Sequence, residues 1–125
     1  MPCAPRSIAA TLATAAIALV ALLASTASAG APGATASKSC SVGNQRGYGA
    51  SYVLTIRVSH TSCRSGRKVV KAFHACRPGK TGHCRRRVLG YSCSERRTEG
   101  RGEYDSRVTC RNGGKTVKHT YSQFT

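Results

Sequence analysis

Tyr52–Cys76 reads YVLTIRVSHTSCRSGRKVVKAFHAC, and its periodicity changes halfway along. Over Tyr52 to Ser59 the residues alternate. Tyr52, Leu54, Ile56 and Val58 fall on one side; Val53, Thr55, Arg57 and Ser59 fall on the other. A period of two predicts a half-buried strand. From Cys63 the spacing turns helical. Gly66, Val69, Val70, Phe73 and Cys76 form an inward stripe, and Arg64, Arg67, Lys68 and Lys71 form a cationic one. Thr61-Ser62 offers an N-cap, and Pro78-Gly79 ends the helix. Gly66 weakens a helix by about 1 kcal/mol relative to Ala, unless something packs close against it.

Downstream, Arg87 to Ser94 predicts a strand with Leu89, Tyr91 and Cys93 on one face, and Ser94 to Gly102 (SERRTEGRG) a polar loop. Asn112-Gly113 is a strong two-residue hairpin signal. A turn there sets Val108 against Val117 and Tyr104 against Tyr121 on one face. It sets Thr109 against Thr116 and Arg107 against Lys118 on the other. The sum is an α+β domain: one helix packed on a small antiparallel sheet, in the order β-α-β-β-β.

The first 29 residues have the form of a secretory signal. Arg6 supplies a positive start, Ile8 to Leu23 is uncharged and apolar, and Ala27-Ser28-Ala29 is a small-x-small cleavage site. Residues 30–39 (GAPGATASKS) predict a flexible tail, and residues 40–125 a single small domain. Cleavage removes Arg6 and Cys3. It leaves 19 Lys and Arg against four acids, a net +15, and six cysteines. Six cysteines in a short exported chain predict a disulfide framework. The remaining chain has two Leu, one Ile, two Phe and no Trp, too few large apolar residues for an ample core. Cys76 with Cys84 would staple the helix end to the loop beyond it. Cys40, Cys63, Cys93 and Cys110 allow three pairings, of which Cys63–Cys93 with Cys40–Cys110 is favoured.

Three motifs, SC-x5-VVKAF-x2-C, VLGYSC and VTCRNGGKTVKHTY, together resemble an uncharacterised group of small secreted cysteine-containing actinobacterial proteins. The group shares a Cys-headed helix, a GYxC strand and a VTCxxG hairpin. The resemblance spans roughly Tyr52 to Tyr121. It implies export and fold, and carries over no catalytic residue.

The segment CRPGKTGHCRRR, Cys76 to Arg87, invites sharper readings. Cys76, His83 and Cys84 lack the paired spacing of a zinc site. PGKTG lacks the first glycine of a P-loop and follows a helix instead of a strand. A Cys76–Cys84 ring displaying Lys80 would suit a protease inhibitor, but Gly79 and Gly82 make it turn. No metal site or cofactor is predicted.

The charge points to an anionic partner. Arg64, Lys68 and Lys71 stack at i, i+4, i+7 with no acid on the helix; such like pairs each cost roughly 0.2–0.5 kcal/mol. Arg107 opposite Lys118 is also unfavourable, and Asp105, diagonal to Lys118, offsets only part of it. A polyanion would relieve both. The predicted anion-binding residues are Arg64, Lys68, Lys71, Arg85, Arg86, Arg87, Arg107 and Lys118. The predicted partner is a nucleic acid, an anionic wall polymer or an anionic membrane surface, bound without sequence preference. Tyr48 and Phe124 are the candidate exposed rings. The function expected is that of a secreted, extracellular, non-catalytic binding protein. The alternatives are a ribonuclease using Glu95, Glu99 or Glu103 with His74, His83 or His119, and the inhibitor. For His119 and the acids the plain expectations are a core-edge histidine and solvated partners of Arg96, Arg97 and Arg101.

Overall fold

The computed structural model describes residues 36–125. The expected signal segment, and the tail as far as residue 35, lie outside them. The elements run β1 (Lys38–Cys40), a 3-10 turn (Gln45–Tyr48), β2 (Tyr52–Ser59), α1 (Cys63–Cys76), β3 (Ser92–Glu99), β4 (Glu103–Asn112) and β5 (Lys115–Phe124). The strands form one antiparallel sheet in the order β1-β2-β5-β4-β3. The α+β architecture of one helix on one antiparallel sheet therefore stands, with a short strand added in front. β1 begins at Lys38, inside the segment read as tail.

The helix forms as its pattern demands. Ser62 caps it, accepting a hydrogen bond from the Ser65 backbone N–H, and Val69, Val70 and Phe73 are buried against the sheet. Gly66 lies over Val58: a Cβ built there would come within 2.5 Å of the Val58 Cγ1. Its lack of a side chain lets helix and sheet approach.

Three local expectations fail, each for a physical reason. In β2 a bulge between Val53 and Thr55 inserts one residue and reverses the alternation. Val53 joins Ile56 and Val58 in the core, while Tyr52 and Leu54 are exposed. The Gln45 side chain holds the bulged backbone, donating to the Val53 carbonyl at 2.7 Å and accepting from its N–H at 2.9 Å.

The strand expected at Arg87 to Ser94 starts later and runs to Glu99, through what reads as a loop. Val88 and Tyr91 instead close a tight turn in which Leu89 and Gly90 both have positive φ, and Leu89 is exposed. β3 carries no apolar alternation because its inward residues meet polar partners.

The hairpin turn is Gly113-Gly114, since Asn112 pairs with Lys115. Every partner shifts by two residues: Val108 faces His119, Cys110 faces Val117, and Arg107 faces Thr120. A one-residue slip exchanges the faces of a strand. A two-residue slip preserves them, so apolar matching alone does not separate the two registers.

The disulfides are Cys40–Cys63, Cys76–Cys84 and Cys93–Cys110. The staple is as expected, and the favoured pairing of the other four is corrected. β1 runs beside β2, whose end feeds α1, so Cys40 and Cys63 come within 5.4 Å between Cα atoms. Cys93 and Cys110 are direct cross-strand partners once β3 is placed.

Candidate functional site

The helix covers one face of the sheet. Among the described residues no element covers the other. The residues on this outer face follow from the register. One row across β2, β5, β4 and β3 is Arg57, Lys118, Thr109 and Ser94; the next is Thr55, Thr120, Arg107 and Arg96. A third, at the hairpin end, is Ser59, Thr116, Arg111 and Ser92. These three rows are Ser, Thr, Arg and Lys throughout; beyond them the face continues with Tyr52, Ser122 and Asp105, then Phe124 and Glu103. Arg57 stands directly opposite Lys118, and Arg96 directly opposite Arg107. The opposition read between Arg107 and Lys118 does not exist, because of the register shift, but two other like-charged pairs replace it.

Like charges directly across a sheet destabilise it. Asp105, two residues from Arg107 and diagonal to Arg96, offsets part of one pair, and among the described residues no acid stands beside Arg57 and Lys118. Among the described residues the ion pairs are Glu95 with His83 and Glu95 with Arg97, both away from this face. Asp105, toward the far end of β4, accepts a hydrogen bond from the Ser122 hydroxyl. Two shallow depressions mark the cationic rows. One, of about 340 Å³, includes Arg57, Arg111 and Lys118; the other, of about 310 Å³, includes Arg57, Arg107 and Lys118.

The other expected anion-binding residues lie elsewhere. Arg64, Lys68 and Lys71 are exposed on α1, which packs on the opposite face of the sheet. Arg85, Arg86 and Arg87 are exposed after Cys84; Arg85 and Arg86 line a depression with His83, and Arg87 donates to the Gly90 carbonyl at 2.6 Å. The eight residues are three groups, not one patch. The face also contains Arg57, Arg96 and Arg111, which the sequence reading omitted. Arg57 was legible from its outward parity in β2; Arg96 was hidden by the placement of β3.

Beneath the sheet lies a polar cluster that the sequence reading missed. The Glu95 side chain is only 6 % exposed, not a solvated partner in a loop. It accepts from Arg97 at 3.0 Å, Ser106 at 2.8 Å, His83 Nδ1 at 2.9 Å and the Tyr121 hydroxyl. Burial alone would raise its pKa, but these hydrogen bonds outweigh burial and hold the carboxyl at about 2. Arg77 is buried too. It donates to Ser51 Oγ at 2.9 Å, to the Gly82 carbonyl at 3.0 Å, and to the Lys80 carbonyl and Tyr104 hydroxyl. Its guanidinium sits 4.8 Å from the Tyr121 ring centroid. Arg97 holds the same loop through the Thr81 and Gly82 carbonyls. The Cys76–Cys84 ring is therefore curled around arginine donors, not extended as an inhibitor loop needs.

His119 has the inward parity expected of it and is more deeply buried than a core edge, at 1 % exposure. Both its ring nitrogens, and Nε2 of His74, have no hydrogen-bond partner. The two rings lie 5.3 Å apart. Burial lowers the pKa of His74 to about 4 and of His119 to about 3; Arg77 adds to both shifts, and His74 adds to that of His119. Both rings are neutral in the folded protein. Tyr48, expected at the surface, is buried and donates to the Val42 carbonyl at 2.5 Å.

No protein-family model matches this chain, and neither a curated protein nor a solved structure shows significant similarity to it.

Proposed function

We propose that this chain is an exported, disulfide-held, non-catalytic domain that binds anionic polymers or surfaces through the outer face of its sheet. The observation that carries the reading is the pair of opposed like charges, Arg57 with Lys118 and Arg96 with Arg107, on a hydroxyl-rich face where the one nearby carboxylate among the described residues, Asp105 beside Arg107, makes no ion pair. A bound polyanion turns both repulsions into attractions and releases counterions. The Ser and Thr hydroxyls between the cations donate to the same anionic oxygens. Export accords with the three disulfides, which persist in oxidising compartments, and with the N-terminal pattern around Ala27 to Ala29. No helix among the described residues is long and apolar enough to cross a membrane.

The test is retention on immobilised heparin. The wild-type protein is retained at low salt and released as salt rises. An R57Q/K118Q/R107Q variant elutes much earlier, and an R64Q/K68Q/K71Q variant elutes close to wild type. Wild-type flow-through at low ionic strength overturns the reading; earlier elution of the helix variant alone moves the site to α1.

One observation favours a second reading. Glu95 orients His83 through Nδ1, while His83 itself is half exposed beside Arg85 and Arg86. A carboxylate-oriented histidine near arginines is what phosphodiester cleavage by general acid–base catalysis requires. Metal-free cleavage of RNA that disappears in H83A, with folding intact, would establish it. Equal product from both proteins removes it.

A further inference from the structure

Two large rings stand on the outer sheet face, beyond the cationic rows. Tyr52 is 56 % exposed and Phe124 67 %. The bulge in β2 turns Tyr52 outward, directly opposite Ser122, and Phe124 lies two residues further along β5. The rings are therefore diagonal neighbours on adjacent strands, a separation of roughly 7–8 Å between backbones. From the Ser122 row to the Lys118 row is four residues of β5, or roughly 13 Å. The face divides into an aromatic end, a middle row where Thr55 and Thr120 hydrogen-bond at 2.8 Å beside Arg107 and Arg96, and a further row with Arg57 and Lys118.

From this arrangement we infer that the anionic polymer is a single-stranded nucleic acid, with unstacked bases lying on Tyr52 and Phe124 and phosphates on Arg57, Lys118, Arg107 and Arg96. The inference rests on the polyanion-binding reading and specifies its ligand. Exposed rings on an open sheet are used by single strands because every base has a π-face, and a duplex hides those faces. A sulfated or phosphorylated wall polymer offers these rings at most the aliphatic face of a sugar, without the π-face a base supplies. Acid placement separates this occupant from a membrane. Asp105 faces Ser122 and Glu103 faces Phe124 on β4. Seating the rings in an anionic bilayer would press both carboxylates into like-charged headgroups. A nucleic-acid strand instead lays its neutral bases on the rings and turns their phosphates toward Arg107 and Arg96, one row away, with further phosphates on Arg57 and Lys118.

The experiment uses the mature protein with a fluorescein-labelled oligouridylate, inorganic polyphosphate of similar charge, and phosphatidylserine/phosphatidylcholine vesicles. Tyr52→Ala and Phe124→Ala each weaken oligouridylate binding roughly 5- to 150-fold. Polyphosphate binding stays within about twofold of wild type. Tyr52→Trp restores or exceeds wild-type affinity. The R57Q/K118Q variant weakens both probes. Aromatic variants that bind oligouridylate as wild type does, or that lose both probes equally, overturn the inference while leaving polyanion binding intact. Vesicle capture that depends on the rings, with oligouridylate binding unchanged, also overturns it. Failure of the wild type to bind either polymer overturns the polyanion reading itself.

Discussion

Lowering the pH from 7.5 to 5.0 should strip the fold of much of its stability, through His74 and His119. Their ordinary pKa is 6.5, and the folded values are about 4 and about 3, depressed first by burial. Glu95 pulls both upward without overcoming it. Below 6.5 the unfolded chain takes up protons on both rings while the folded chain does not. The contribution is therefore complete above about pH 6.5 and declines as pH falls toward the folded values. Proton linkage puts the loss at about 2 kcal/mol for each histidine by pH 5, or about 4 kcal/mol if the two act independently. A small domain has roughly 5–15 kcal/mol in total. Glu95 adds little in this window, because its own loss begins near 4.5 and runs down to about 2. Urea unfolding at the two pH values reads the change directly as a shift in midpoint. His119→Phe keeps an aromatic ring among Phe73, His74 and Tyr121 and removes about half of the pH dependence. A wild-type midpoint that does not move between pH 7.5 and 5.0 would refute the reasoning, since it would mean that both rings are solvated or partnered.

Gly66→Ala gains about 1 kcal/mol of helix propensity but drives a methyl into Val58, an overpacking cost of about 1–3 kcal/mol. Net destabilisation is expected in thermal melts, and Val58→Ala in the same chain should relieve part of it. Replacing Cys40 and Cys63 together, or Cys93 and Cys110 together, with Ala should cost about 3 kcal/mol per bridge from loops of sequence separation 23 and 17. Peptide mapping without reduction should recover those same pairs. Glu95→Gln leaves the largely covered Arg97 without its carboxylate and should destabilise by about 3 kcal/mol at neutral pH. A chemical-denaturation midpoint equal to wild type would show that the cluster is not the hub described.

What could be read from the sequence follows from which signals are local. The helix was legible from Ser62 to Cys76 because its cap, stripe and stop all lie within it. The glycine contact at Gly66 was legible as a cost that needed a neighbour. β3 was not, because Glu95 and Arg97 point inward at partners more than ten residues away, Ser106 and Tyr121 among them, and a charged inward residue looks like a loop. That single misplacement also hid the Cys93–Cys110 pair and the Arg96–Arg107 opposition. The bulge at Leu54 hid Tyr52 in the same way, since one extra residue reverses every assignment before it. The cationic site was half legible: the charge excess and the outward parity of Arg57, Arg107 and Lys118 show in the sequence. Which cations share a surface depends on register, and a two-residue slip is silent in an apolar pattern.

The salt dependence of single-strand binding tests the outer-face site most directly. The slope of log affinity against log salt counts the phosphates neutralised, at about 0.7 per contact for a single strand. Arg57, Lys118, Arg107 and Arg96 together give a slope of about −2.8 if each takes one phosphate. R57Q/K118Q should reduce it by about 1.4, and R64Q/K68Q/K71Q should leave it unchanged. A slope that falls in the helix variant and holds in the sheet variant would contradict the account.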